Sequence, residues 1–426
     1  MHYVSDTPIL IDPVDFSRAS PAGGSSSKAL NNPRFGPWKY GNYIYVVFSS
    51  NTDGVPGNGT LRVFKRSISG GNWTRQHQVG EPNWELSFYT PLATFNESTG
   101  IIDIFIAGEL LSTGAHLFHI AFNCSTDTYG SVSTDHTYGM WPYNRDVFQF
   151  SDGSSGAITI EVNPTKGIWW QLFESGTFST EQLILSLSPI GEYAGILSGL
   201  VDLTTDILHL FYFIYTASSP STGGVYYLQI DRSGTPNTPT LVYNLSAAGA
   251  PAFISTSPMV YWNGDYVIAL TNYNDANIQA IISVDPNTLG VTVEDWDPGD
   301  HIGDNASQYL NLYADSDNTL WMTWEVYIFG DGSAVDDQLW SNSNDGTGWG
   351  TATLVYDARL NPPPNGLDED GSQFVHTIGV IRLPSGCWIY ITALETLEID
   401  SIFHCTGFEL LICGALLGGG WKLYEA

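Results

Sequence analysis

Positive charge is what this chain has least of. Lys and Arg together number 14 against 44 Asp and Glu, for a formal net charge of −30. A surface of that sign repels polyanions, which disfavours nucleic acid and anionic membrane surfaces as partners. Charge of either sign is scarce, at 14% of residues, and the acidic ones form no long run, so they read as solvated surface and not as a disordered tail. Long apolar runs are missing too. No stretch approaches the roughly 20 apolar residues of a membrane-spanning helix. The opening MHYVSDTPILIDP has neither the basic start nor the apolar core of a secretory signal, so conventional export is not expected. Cysteine is limited to four residues, none at a metal-binding spacing. Cys124 stands alone, and Cys387, Cys405 and Cys413 fall near the end of the chain, where buried thiols are expected in preference to a disulfide.

What is present is turn and strand material: 44 Gly, 22 Pro and 13% aromatic residues. Residues 318–357, NTLWMTWEVYIFGDGSAVDDQLWSNSNDGTGWGTATLVYD, read as three successive strands with a tight Asp-Gly turn before the last. With the alternating segment 308–313 in front, they make a four-stranded antiparallel meander, too small to cover both of its own faces. The same order recurs. Apolar second strands begin near Tyr43, Ile101, Ala157, Ile207, Tyr266, Thr319 and Cys387, each followed by a third strand and a polar turn. Four-stranded sheets repeated radially are a β-propeller, so the expected fold is all-β with seven blades. In the last repeat the third-strand turn is expected at residues 415–421, with 396–407 as an insertion or extended hairpin.

The segment TPILID at residues 7–12 matches the fourth strands ATLVYD and PTLVYN found later, and is expected to pair in the blade containing residues 421–424. Such pairing leaves no open sheet edge at the junction. The domain reading is therefore one unit: residues 1–32 as closing strand and linker, and residues 33–426 as the propeller.

The turn at Ser343, Asp345, Gly346 and Trp349 resembles the Asp-box hairpin of the sialidase-like propeller superfamily, Ser67 and Trp73 share its spacing, and Trp421 repeats its end. Both fuller copies are one residue shorter between Gly and Trp than the family's box, and Ser69 stands where Asp is expected. The resemblance implies a structural role for these turns, the carboxylate capping turn amides and the Trp packing between sheets. It also implies, for an enzyme, three arginines gathered on a substrate carboxylate; Arg34, Arg145, Arg359 and Arg382 are the candidates near inner strands. The Tyr-Glu nucleophile of such enzymes has no counterpart motif.

Radial sheets bring the starts of their inner strands around one mouth of the axis. Trp38, Glu85, Tyr89, Arg145, Tyr193, Tyr309 and His376 stand near those starts and are the expected ligand-binding residues. The competing reading is that polar residues there only satisfy backbone groups around the channel. Asp295, Asp297, Asp300 and Asp304 gather carboxylates of the kind calcium takes, although the spacing is not that of an EF-hand and a solvated acidic loop is the plainer reading. No other cofactor is implied. Low charge, many aromatics and Asn/Ser/Thr-rich loops without an export signal suggest a non-catalytic propeller on a phage or virus particle, binding host-surface glycans or other virion proteins. The alternative is a carbohydrate-active enzyme, a glycoside hydrolase or polysaccharide lyase, with its site at the axis. Catalytic residues are not identified, and fold alone does not decide between the two.

Overall fold

The computed structural model describes residues 2–5, 9–10, 38–51, 59–67, 74–79, 84–85, 92–110, 114–134, 145–161, 166–187, 193–215, 223–245, 254–272, 279–295, 305–314, 318–328, 338–357, 375–383, 386–393 and 398–405. Every named element in them is a β-strand and every pairing is antiparallel; the first six sheets follow chain order as meanders, and the seventh takes its last strands from the N-terminal segment.

The first sheet runs Trp38–Tyr40, Tyr43–Asn51, Gly59–Ser67, Thr74–Val79. In the second, Trp84–Glu85 and Leu92–Asn96 both pair with Ile101–Leu110, which is followed by Gly114–Asn123 and the short pieces Thr128–Tyr129 and Ser133–Thr134. The third runs Arg145–Gln149, Ser155–Glu161, Gly167–Glu174, with Thr177–Phe178 and Gln182–Ser186 sharing the fourth place. The fourth runs Tyr193–Asp202, Ile207–Tyr215, Gly224–Ile230, Thr240–Asn244. The fifth has a divided first strand, Ile254–Thr256 and Val260–Trp262, then Asp265–Asn272, Gln279–Val284 and Val291–Asp295. The sixth runs Asn305–Ala314, Leu320–Ile328, Gln338–Asn344, Thr353–Asp357. The seventh runs Val375–Leu383, Gly386–Ala393, Glu398–Cys405, with His2–Ser5 and Ile9–Leu10 pairing on the last.

Each sheet from the first to the seventh touches the next one in chain order. Strand parity shows how. Ile207–Tyr215 reads ILHLFYFIY, apolar at nearly every position, because both of its faces are covered. Leu208, Leu210, Tyr212 and Ile214 pack with Phe148, Ile158 and Trp170 of the third sheet. Phe211 and Phe213, on the opposite face, pack with Tyr266 and Ile268 of the fifth. Val267 and Ala269 then turn the other way, toward Leu320, Met322 and Trp324 of the sixth. Each large apolar side chain so buried contributes about 1.5–3 kcal/mol, and the sum accrues between sheets, which is why no single meander is self-sufficient.

A four-strand meander puts two of its turns, first-to-second and third-to-fourth, at one end, here called the turn face. The remaining connections lie at the other end, the mouth face. The turns at residues 344–349 illustrate the first kind. Asn344 Oδ1 accepts from the amides of Gly346 (2.9 Å) and Gly348 (3.2 Å), while Asp345 Oδ1 accepts from the amide (2.9 Å) and hydroxyl (2.6 Å) of Thr347. Gly346, at φ 93°, occupies a backbone conformation that side chains resist. Trp349 packs on the cluster between the fifth and sixth sheets and donates Nε1–H to Glu294 at 3.3 Å. Asp345 thus shares the capping with Asn344.

The Thr347 hydroxyl and amide hold the Asp345 carboxyl below its ordinary value. A depressed carboxyl stabilises the fold above its unfolded pKa and stops doing so as pH falls through the folded value. Asp345→Ala is therefore expected to lower the unfolding temperature at pH 7, with the gap to wild type closing in acid. A gap independent of pH, followed by differential scanning fluorimetry, would reject the capping role of the ionised carboxylate.

Two expectations are corrected in the last sheet. Its third strand is Glu398–Cys405, inside the stretch read from sequence as an insertion; the anticipated turn at residues 415–421, with Trp421, lies outside the described residues. The segment follows Gly386–Ala393 after only a short connection, so the nearest alternating stretch closes the hairpin. The N-terminal segment does join this sheet, but Ile9 and Leu10 face Ile399 and Glu398, and the pairing extends upstream to His2–Ser5. Ser67 ends a third strand as expected, and Trp73 lies outside the described residues.

Candidate functional site

The first strands carry most of the sequence-predicted binding positions, and the structure places several at the mouth ends of their own strands. Glu85 faces Glu109, Arg145 faces Thr159, Tyr193 faces Tyr215 and His376 faces Thr392. Each lies within the first two residues of a strand element at the mouth end of its sheet. Tyr309 sits further along, inside the register shift between Gln308 and Asn311. The first strands of the second, third and fourth sheets lie side by side, as do those of the fifth, sixth and seventh. Arg145 and Tyr193 thus open adjacent first strands but are not level with each other, because Asp146, beside Arg145, accepts from the amide of Gly199 (2.7 Å), six residues along from Tyr193; Tyr309 and His376 also stand on adjacent strands. Tyr89 lies outside the described residues.

Trp38 does not join them. Its strand, Trp38–Tyr40, leads directly into the turn at Gly41, so it lies at the turn end, where its ring is half-buried 6.2 Å from Phe95 against the cluster shared by the first two sheets. The arginines do not form one level either. Arg145 opens its strand, whereas Arg382 pairs with Cys387 beside the turn of the seventh sheet, at the opposite end; Arg34 and Arg359 are outside the described residues. Asp295 ends a strand opposite Ala280, and Asp297, Asp300 and Asp304 are outside the described residues. Among the described residues no group of three or more His, Cys, Asp or Glu is arranged to hold a metal ion.

The described turn face holds a cleft of about 490 Å³ between the second and third sheets. Its wall includes Asn96, Thr99, Asp103, Gln149, Phe173 and Arg232. Arg232 comes from the third-to-fourth turn of the next sheet along. It reaches Asp152 at 2.5 Å, Ser154 Oγ at 3.1 Å, Glu174 at 3.5 Å and Asp206 at 3.4 Å, with its guanidinium carbon 5.0 Å from the Phe150 ring centroid. The guanidinium beside Asp152 holds that carboxyl well below the usual carboxylate range. Deeper in, Asp103 and His119 form a buried pair with Oδ1 and Nε2 2.7 Å apart, and Gln149 donates to the other Asp103 oxygen at 3.2 Å. The His119 ring stacks on Phe173 at 3.5 Å.

These residues escaped sequence reading, but their turns carry a legible signal. NESTG at 96–100, NCSTD at 123–127, DLTTD at 202–206 and DPNTL at 285–289 share an opening Asn or Asp whose side chain accepts from the residue two or three places on. Their last residues, Gly100, Asp127, Asp206 and Leu289, all have φ between 53° and 68°. The repeat builds one turn face from two kinds of hairpin. Gly100 is required twice over: a Cβ there would also meet the Tyr40 ring at 2.5 Å.

No family model matches the chain, and no curated protein matches it by sequence. Among solved structures it is similar to the BP39L lectin from Burkholderia pseudomallei, at 12% identity and TM-score 0.49 over 89% of this chain and 96% of that one. It is similar to the polysaccharide lyase Uly1, at 12% identity and TM-score 0.47 over 95% and 99% of the two chains. A third is the β-propeller domain of the Trilobed protease from Pyrococcus furiosus, at 10% identity and TM-score 0.45 over 85% and 92%. At these values the likenesses transfer no activity, and the strand pairings remain the ground for the architecture.

Proposed function

We propose that the seven sheets close into one ring, a β-propeller comprising residues 33–426 closed by a strand from residues 1–32, and that its mouth binds glycans. The reading takes the protein as a non-catalytic surface component of a phage or virus particle. The observation that supports it is that Glu85, Arg145, Tyr193 and His376 each lie within the first two residues of a strand at the mouth end of its sheet, with Tyr309 on the strand beside that of His376. In a closed ring these positions surround the axis, where tyrosines stack on sugar rings and Arg145 pairs with a carboxylate of an acidic glycan.

The alternative of a carbohydrate-active enzyme draws no support from the buried His119–Asp103 pair. Its remaining imidazole nitrogen, Nδ1, is buried, so it offers a substrate no base.

A glycan array and a reducing-sugar assay on the full chain separate the two. Binding without release of reducing ends is expected. Alanine at both Arg145 and Tyr309 should weaken that binding by about ten-fold or more while leaving the unfolding temperature unchanged. Release of reducing ends supports the enzyme, and unchanged glycan binding in the double variant removes the mouth as the site.

A further inference from the structure

We propose that the interface between the fourth and fifth sheets is an acid-sensitive seam, which opens when His209 takes up a proton while the neighbouring interfaces stay packed. Strand parity puts His209 there. Leu208, Leu210, Tyr212 and Ile214 pack toward the third sheet, so His209 turns with Phe211 and Phe213 to the fifth. The seam is otherwise apolar, with Ile268, Leu270 and Met259 facing those phenylalanines from the fifth sheet. Into it the chain places an imidazole only 3% exposed.

The contacts of this ring suit its neutral form. It stacks on Tyr266 of the fifth sheet with centroids 3.8 Å apart, and Nδ1 lies 2.5 Å from the Tyr227 hydroxyl. The titratable groups around it are Asp202 and Tyr227 of its own sheet, and Tyr266, Tyr261, Asp265 and Asp285 of the fifth. Among the described residues the Tyr227 hydroxyl bonds to it and no carboxylate does. A positive charge there loses its water without gaining a bonded counter-ion, which is costly. Burial accordingly pushes the pKa down to about 4, with Asp202 opposing in part.

Opening the seam removes that constraint. In water the imidazole protonates near its ordinary value of about 6.5, so between there and the closed value the opened state binds more protons. Acid therefore favours opening as pH falls through that range, and gains nothing further once the closed form also protonates near pH 4. Polar fastening across this seam is slight. Among the described residues the Met259 amide donates to Ser198 Oγ at 2.9 Å, and Gln229 Nε2 donates to the Pro286 carbonyl at 2.8 Å. The seam between the third and fourth sheets is fastened by carboxylates instead. Asp206 accepts from the amide (2.8 Å) and hydroxyl (2.9 Å) of Ser151, and Arg232 engages Asp152, whose carboxyl lies well below the usual range and so keeps its charge at pH 5. Acid thus acts on one seam before its neighbour.

Two buried methionines make the test internal to the wild-type chain. Met259 lies in this seam, and Met322 lies in the cluster between the fifth and sixth sheets. Hydrogen peroxide converts a reachable thioether to the sulfoxide, transferring one oxygen and leaving water. The full chain is exposed to dilute peroxide at pH 7.5 and at pH 5, and each methionine is followed by peptide mass spectrometry, with free methionine correcting for the reagent. Oxidation of Met259 should be faster at pH 5 by about thirty-fold, the factor that a closed-state value near 4 and an open-state value near 6.5 give. Met322 should keep its rate. In His209→Gln the acceleration at Met259 should vanish. An unchanged Met259 rate in the wild type, an equal acceleration at Met322, which means unfolding of the whole chain, or full acceleration in folded His209→Gln would each overturn the proposal.

Discussion

Deleting residues 1–12 is expected to lower the stability of the chain by several kcal/mol and to leave it prone to association. His2–Ser5 and Ile9–Leu10 face Ile402–Cys405 and Glu398–Ile399 in six cross-strand pairs. Each ladder hydrogen bond contributes on the order of 1 kcal/mol net, and the pairs are lost together. The deletion also exposes the backbone edge of Glu398–Cys405, which offers another chain a template for pairing. A rim strand at the end of an open row would be a local loss. In a ring it is the closure, and the whole fold is expected to unfold earlier. Urea unfolding followed by far-ultraviolet circular dichroism checks the first effect, and size-exclusion chromatography checks the second. A truncated chain that stays monomeric with an unchanged urea midpoint would show that the N-terminal strands contribute nothing to stability.

The repeat order was legible because each second strand is apolar on both faces and follows a turn with a strong local signal. Ile101, Ile207 and Leu320 begin such strands within a residue of where their composition places them. The N-terminal pairing was legible for a different reason, a match of TPILID to other rim strands, and only its register partner differed. Glu398–Cys405 was misplaced because the aromatic and glycine-rich stretch beyond it has the stronger turn signal, whereas chain proximity decides hairpins. The mouth positions followed from strand starts, and Trp38 failed because the first strand of the first sheet is only three residues long, so its start is already beside its turn. The cleft was invisible to motif reading. Asp103, His119 and Gln149 come from three strands in two sheets, and only parity across a built interface brings them together.

Acidification from pH 7.5 to 5 is expected to cost the fold about 2 kcal/mol through His209 alone. This imidazole lies between the fourth and fifth sheets, 3% exposed, stacked on Tyr266 with centroids 3.8 Å apart and with Nδ1 2.5 Å from the Tyr227 hydroxyl. Burial pushes its pKa down to about 4, with Asp202 opposing in part. The unfolded chain takes up this proton near the ordinary histidine value of about 6.5. Between those values the unfolded state binds more protons than the folded one, so stability falls as pH drops through 6.5 and levels off once the folded state protonates near pH 4. The full span is on the order of 3 kcal/mol. The turn carboxylates act in a lower window: Asp152, Asp202, Asp231, Asp285 and Asp345 all have depressed values, so their contribution persists above the ordinary carboxylate range and is lost only below it. His209→Gln removes the titration while retaining an amide that can partner the Tyr227 hydroxyl. The variant should start less stable at pH 7.5, yet lose about 2 kcal/mol less than wild type on going to pH 5. Urea midpoints at the two pH values give the comparison, and parallel losses in the two proteins would show that His209 takes up its proton as readily in the folded chain as in the unfolded one.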